Sequence, residues 1–209
     1  MEFATICDTF EDLERTSSRL EKTEMISKLL KGAAKEDLEM IIRILLGRVF
    51  PSWSTSKIGV GEKLLIKATS DISGIPEGEI VGYLKETGDV GLSIERAMEN
   101  KKQVMLASRD LDLVEVYNSL VKLSTLDGKR SQDRKLKILA GILTNASPKE
   151  SRYISRTVVE TMRTGVAEGT IRDSVAKAFE VPPSKVEKAF MLSNDFGLVA
   201  LKAFEGEKA

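Results

Sequence analysis

The sequence predicts an all-α fold of about ten to twelve helices in two pseudo-symmetric repeats. Apolar residues recur at the three- and four-residue spacing of helices, the alternation typical of strands is missing, and the two halves of the chain resemble each other. The 209 residues, 42% of them hydrophobic, suffice for a large domain with a buried core. We therefore expect residues 1–209 to form one all-helical domain.

Helices are predicted in order along the chain wherever apolar residues follow the i, i+3, i+4, i+7 pattern, because that pattern places them on one face. The clearest runs lie at the beginning of the chain, near its middle and just after it. They comprise Phe3, Ile6, Cys7, Phe10 and Leu13; Leu113, Val116, Tyr117 and Leu120; and Leu136, Leu139, Ala140 and Leu143. Cys7, the only cysteine, is interpreted as a small core residue.

Helix ends carry their own signatures. Ser147 is followed by Pro148 and, three residues on, by Glu150, which predicts a capped helix start of the capping-box type. Ser131 is expected to cap the helix that carries Arg134. Asn194 and Gly197 mark turns near the end of the chain.

Two stretches of the chain align with each other, which predicts an internal duplication. Residues 59–62 (Gly-Val-Gly-Glu) align with residues 165–168 (Gly-Val-Ala-Glu) at an offset of 106, and the prolines at 76 and 182 share that offset. Upstream of Lys57 the offset changes to 113 or 114. A chance alignment of helical apolar residues is the alternative to duplication.

The duplication predicts pseudo-repeats over about residues 8–92 and 112–200, joined by a polar stretch. Two similar halves can place matching loops on both sides of one point. Duplex DNA has a backbone dyad of its own, so such a protein could present equivalent loops around a position such as a nick.

Composition excludes several classes of function. The chain has no histidine, which removes Ser-His-Asp and Cys-His catalysis and nearly all histidine-ligated zinc sites. Lysine plus arginine and aspartate plus glutamate balance at 32 each, so nucleic-acid binding would need local basic patches. No apolar run reaches the length of a membrane span, and we expect an intracellular protein with no membrane partner.

Residues 128–137 form the densest basic segment, with five bases against one acid. Backbone N–H groups at a helix start bind phosphate, and adjacent bases add positive charge. A solvated loop leading into a capped helix is the alternative. The candidate phosphate-binding residues are Gly128, Lys129, Arg130, Ser131, Gln132, Arg134 and Lys135.

The two aligned glycine segments are the second candidate. Glycine lets a phosphate backbone approach the main chain closely, and each segment enters a new helix. For an isolated sequence, tight helix–helix connections are the favoured interpretation. The candidates are Gly59, Gly61 and Lys63 in the first segment, and Arg163, Gly165 and Thr170 in the second. In a nearby loop, Trp53 is interpreted as a packed anchor rather than a base-stacking platform.

A set of short sequence motifs, in the same order along the chain, resembles the N-terminal DNA-binding domain of archaeal and eukaryotic ATP-dependent DNA ligases. The motifs lie at residues 10–20, 58–62, 87–91, 128–135, 146–154 and 163–166. The resemblance implies an all-helical, pseudo-symmetric domain that binds the minor-groove side of nicked duplex DNA, mainly through phosphates. It points to Gly128, Ser131, Gln132, Arg134 and Lys135, and next to Arg163, Gly165 and Thr170.

The family's catalytic lysine lies in a Lys-x-Asp-Gly motif, where it attacks ATP. The similar string here, Thr125-Leu126-Asp127-Gly128, has threonine in the place of that lysine. We therefore expect a chain that is not an enzyme and holds no cofactor or metal itself, belonging to a parent ligase that uses ATP and Mg²⁺.

Such ligases can also contact the sliding clamp through a Gln-plus-aromatics segment. Gln103, Met105 and Leu106 stand at the matching place without the aromatics, and a plain linker is the alternative.

The leading hypothesis is thus a non-catalytic module that holds nicked duplex DNA for ligation. The main alternative is a helical-repeat scaffold for protein interactions whose basic loop is only solvated. A metal-dependent nuclease is a third possibility.

Overall fold

The computed structural model describes residues 1–101, 109–128 and 130–206. Within them lie twelve α-helices and one 3₁₀ helix, and the only β-type pairing is an isolated bridge between Glu2 and Asp112. The predicted all-α fold is therefore confirmed. The α-helices are α1 (Phe3–Arg15), α2 (Arg19–Gly32), α3 (Leu38–Leu45), α4 (Glu62–Ser73), α5 (Glu77–Thr87), α6 (Val90–Glu99), α7 (Leu113–Ser124), α8 (Ser131–Asn145), α9 (Pro148–Val158), α10 (Glu168–Ala178), α11 (Pro183–Ser193) and α12 (Phe196–Glu205).

The chain divides into two compact units that do not coincide with the predicted repeats. Unit 1 comprises Met1, Thr5–Ser56 and the chain from Met162 to the end of α12, whereas unit 2 comprises Glu2–Ala4 and Lys57–Thr161. Each unit therefore combines helices from the first half of the chain with helices from the second. The division into repeats stays a prediction.

In unit 1, α2 packs on α10 and α3 packs on α12. Arg43 of α3 donates a 2.6 Å hydrogen bond to Asp195. Asp195 in turn accepts a 3.0 Å bond from the amide of Gly197 and so caps α12. The ion pair thus fixes the beginning of one helix against the side of another.

In unit 2, α8 packs on α4 and α9 packs on α6. Arg156 of α9 forms a buried bidentate pair with Asp89, at 3.1 and 2.9 Å, and Asp89 caps α6 through the amide of Leu92. A Cβ added to Gly91 in α6 would lie 2.8 Å from the carbonyl oxygen of Arg152, so glycine is required for α9 to pack this closely.

Local predictions had mixed outcomes. The Ser147–Glu150 capping box is confirmed, Cys7 is fully buried, and Asn194 ends α11 in the left-handed conformation. The turn predicted at Gly197 is wrong, because Gly197 is the second residue of α12. The predicted Ser131 cap is wrong. The residue before the helix is Arg130, with φ 63°, and the Ser131 amide donates to the carbonyl of Gly128 as part of a backbone turn.

Trp53 was expected to be a packed anchor, and this prediction is wrong as well. Its side chain is 65% exposed, in the loop between α3 and α4. Apolar character alone predicts burial poorly for a large aromatic residue in a loop, since much of a protein's surface is apolar.

The carboxylate of Glu205 at the end of α12 is expected to titrate far below an ordinary glutamate. Hydrogen bonds from Lys35 and Lys202 lower its pKa to about 2. Because the folded-state pKa lies below the unfolded value, this stabilisation is present above the unfolded pKa and is lost as the pH falls toward about 2. An NMR pH titration should show this pKa, and Lys35→Met should raise it. An unchanged pKa in that variant would mean that Lys35 is not the cause.

Candidate nucleic-acid interface

One predicted glycine segment forms an exposed turn at the start of α4 in unit 2. Gly59 has φ +66° and Gly61 is the residue before the helix. The ammonium group of Lys135, which lies in α8, donates to the carbonyl oxygens of Ile58 at 3.1 Å and Gly59 at 2.9 Å. We call residues 58–61 the Gly59 turn. Two features that were predicted separately, this turn and Lys135 of the basic segment, therefore meet in the fold.

The second glycine segment forms the corresponding turn at the start of α10 in unit 1. Gly165 has φ +65°, and Ala167 is the residue before the helix. Here the ammonium group of Lys22, in α2, donates a 2.6 Å hydrogen bond to the carbonyl oxygen of Thr164. We call residues 164–167 the Gly165 turn.

Both lysines are buried, each only 7% exposed, and their hydrogen-bond partners are neutral carbonyls. Among the residues that the structure describes, no carboxylate pairs with either ammonium group. Burying a charge without a counter-charge costs free energy, and hydrogen bonds to carbonyl oxygens alone offset only part of that cost. Each glycine turn therefore accepts a hydrogen bond from a lysine ammonium group that pairs with no carboxylate of the described residues.

The basic segment continues outward from Lys135. Gly128 and Arg130 both have positive φ, at 80° and 63°, which shapes the loop that leads into α8. Arg134 donates a 3.1 Å hydrogen bond to the carbonyl of Asp127, across the same loop. Arg130, Gln132 and Arg134 are exposed, and Ser131 is half-buried. The loop thus places exposed arginines at the start of α8, the helix whose Lys135 donates hydrogen bonds to the Gly59 turn.

The remaining predicted contacts differ in accessibility. Lys63, in the first turn of α4, and Arg163, just before the Gly165 turn, are exposed. Thr170 is only 4% exposed, so nothing in its surroundings supports a contact through its side chain. Exposed glutamates, Glu62 and Glu168, stand at the first positions of α4 and α10, where a carboxylate is favoured by the helix dipole.

Sequence reasoning missed Lys22 and its neighbour Arg19. Arg19 donates to the carbonyl of Gly169 at 3.1 Å and to Asp173 at 2.5 Å, so it holds the first turn of α10. Burial acts to raise the pKa of Asp173, but hydrogen bonds from Arg172 and Arg19 outweigh it and place that pKa below its usual value. In the internal alignment the offset of 113 pairs Lys22 with Lys135, so the alignment could have identified Lys22.

Some predictions concern residues outside the described part of the chain. They are Lys129 of the basic segment and Gln103, Met105 and Leu106 of the suggested clamp contact. Along residues 1–101, 109–128 and 130–206, no helix combines the length and apolar character needed to cross a membrane. Over the same ranges, no three His, Cys, Asp or Glu side chains are grouped so that they could hold a metal ion.

Comparisons with known proteins agree with the resemblance. A sequence model described as DNA ligase N terminus matches residues 2–176. The DNA ligase of Thermococcus fumicolans is 46% identical over 199 residues, which cover 95% of this chain and 36% of that protein. The DNA ligase of Methanothermobacter thermautotrophicus is 45% identical over 203 residues, covering 97% and 36%. The DNA ligase of Methanocaldococcus jannaschii is 38% identical over 206 residues, with the same coverage of 97% and 36%.

These matches extend over nearly all of this chain but over only about a third of the length of the relatives. The described residues have the all-α fold that the resemblance implies. The chain therefore belongs to the DNA ligase N-terminal family.

Proposed function

We propose that this chain is a non-catalytic DNA-binding domain that holds nicked duplex DNA through phosphate and minor-groove contacts. The catalytic domains of its parent ligase would then seal the nick during replication and repair. The proposal rests on the two exposed glycine turns. Each turn lies at a helix start and accepts a hydrogen bond from the ammonium group of a buried lysine. Helix-start amides and nearby positive charge favour phosphate, and glycine permits its close approach.

ATP and Mg²⁺ are proposed as cofactors of the parent enzyme only. The string in this chain that is similar to the family's Lys-x-Asp-Gly motif, at residues 125–128, has threonine in place of the lysine and lies before the point where a catalytic domain would begin. We assign no adenylation step to this chain. The sliding-clamp contact stays a prediction.

Binding to duplex DNA is expected to weaken steeply with salt and to depend little on sequence, because phosphate contacts release counterions and read no bases. Fluorescence anisotropy with nicked and intact duplexes, at about 50 and about 200 mM salt, measures this directly. Arg130→Asn together with Arg134→Gln is expected to weaken binding to unrelated duplexes equally. Asparagine is chosen at position 130 because it tolerates the positive φ found there.

Lys85→Gln with Lys188→Gln is the matched control. It removes the same number of positive charges from exposed positions on α5 and α11, which contribute to neither glycine turn nor to the basic segment. Absence of duplex binding by the unmodified chain at low salt would overturn the proposal and favour an interaction scaffold. Equal losses of affinity in the two double variants would show that only net charge matters.

A further inference from the structure

We propose that Lys22 and Lys135 are equivalent positioning residues for two DNA phosphates. Each lysine holds a glycine turn in shape and keeps a positive charge directly behind it, where a phosphate on the turn is attracted. The inference rests on the DNA-binding function proposed above and identifies where two of its phosphate contacts lie.

The same unusual arrangement of lysine and glycine turn occurs twice in the chain. Lys135 follows Lys22 by 113 residues, and Gly165 follows Gly59 by 106, which are the offsets that relate the two halves of the chain. In each unit a lysine near the start of a helix donates to a carbonyl at a turn whose glycine has φ near +65°. A single case could be incidental packing, whereas two matched cases indicate a shared role.

The buried charge of each lysine also points to a ligand. Neutral donors could satisfy the same carbonyl oxygens without the cost of burying an ammonium ion. An ammonium group has three N–H donors, and within the described residues Lys135 uses two of them and Lys22 one. Each ammonium group thus has at least one N–H donor left and a charge that no described carboxylate neutralises. A phosphate oxygen at the turn could accept a hydrogen bond from that donor and also balance the charge.

The shape of the two turns suits a phosphate as well. Gly59, Gly61 and Gly165 are exposed, and each turn leads into a helix of at least eleven residues, α4 or α10. A Cβ on Gly59 would lie 2.8 Å from the Lys135 ammonium nitrogen, and one on Gly165 would lie 2.6 Å from that of Lys22. Glycine therefore allows the ammonium group to approach the turn closely, and it leaves the outer side of the turn open.

A purely structural role for the lysines predicts a different outcome from a phosphate-directed role. A lysine that only secures the turn would change affinity at every salt concentration by the same factor. A lysine that helps neutralise a phosphate also changes the number of counterions released. The slope of log K against log salt falls by about 0.9 for each phosphate that the protein no longer neutralises.

The test uses the full chain with a nicked duplex, titrated by fluorescence anisotropy across a salt series. Lys22→Met with Lys135→Met keeps the length and apolar stem of both side chains and removes their charges. We expect the slope to fall by about 1.8, so that the loss of affinity is roughly twelvefold greater at about 50 mM than at about 200 mM salt. Each single variant is expected to show about half of that change in slope, because the sites are equivalent.

Lys85→Met with Lys188→Met is the matched control and is expected to keep the unmodified slope, since both residues lie outside the turns. Lys22→Arg with Lys135→Arg retains the charge and should also keep the slope. This variant keeps the proposal testable if the methionine double variant fails to fold by circular dichroism.

Two failures are distinguishable. If the unmodified chain does not bind duplex DNA, the proposed function itself is wrong. If it binds with a salt-dependent affinity but the folded methionine variants keep its slope, or the arginine variant does not, then the role assigned to Lys22 and Lys135 is wrong while DNA binding stands.

Discussion

Arg156→Met is expected to lower the free energy of unfolding by about 3–5 kcal/mol. In the folded protein the Arg156 and Asp89 side chains are 4% and 5% exposed, and two hydrogen bonds join them. The substitution removes the Arg156 counter-charge from the buried Asp89 carboxylate, which costs far more than the loss of an exposed ion pair. Urea or guanidinium denaturation followed by circular dichroism measures the change.

The size of the effect reflects two roles of one carboxylate. Asp89 accepts the Arg156 guanidinium and also caps α6 through the amide of Leu92. Because α6 packs against α9, an Asp89 side chain that turns toward solvent after losing Arg156 would give up the cap as well as the ion pair. The destabilisation therefore propagates to the start of a helix in the core of unit 2.

Arg172→Met is the control for the removal of an arginine ion pair. Arg172 pairs with Asp173 at 2.8 Å, but both side chains are 28% exposed, so we expect a loss of at most about 1 kcal/mol. If Arg156→Met cost no more than this control, the buried pair would not be what fixes α6 on α9.

The fold was predictable because its determinants are largely local. Helical periodicity identified the runs beginning at Phe3, Leu113 and Leu136, and the Ser147 capping box is encoded within four residues. Ser131 was mistaken for a cap because serine before a helix is a frequent N-cap. The backbone turn from Gly128 and the positive φ of Arg130 decide the entry to α8 instead, and residue preferences do not reveal those torsion angles.

The candidate site was only partly predictable, because its pieces are brought together by tertiary packing. The basic segment was identified from its charge, and both glycine segments were identified from the internal alignment. The hydrogen bond between Lys135 and Ile58 joins residues 77 positions apart, and that between Lys22 and Thr164 joins residues 142 apart. No local pattern encodes such pairings. In the internal alignment the two hydrogen bonds join equivalent residues, so that either bond, once known, predicts the other.

Replacing both turn glycines, Gly59→Ala with Gly165→Ala, is expected to weaken duplex binding at least tenfold, or about 1.4 kcal/mol. Alanine at positive φ costs about 1–2 kcal/mol per position, so stability should also fall. The added Cβ atoms would lie 2.8 and 2.6 Å from the ammonium nitrogens of Lys135 and Lys22. A lysine end moves more easily than backbone does, so each ammonium is expected to leave its carbonyl, and binding weakens for that reason. Anisotropy titration and thermal denaturation measure the two effects separately.

Gly88→Ala is the control that separates two effects of the turn variants: the free-energy cost of alanine at positive φ, and the displacement of the lysine ammonium groups. Gly88 has φ +63°, almost the value at Gly59, but a Cβ there would meet nothing within 4 Å. This variant should therefore be destabilised to a similar extent as one turn variant while keeping its affinity for DNA. If Gly88→Ala weakened binding as much as Gly59→Ala alone, general destabilisation would explain the weaker binding. If Gly59→Ala kept full affinity, contact between the Lys135 ammonium and its turn would be unnecessary for DNA binding.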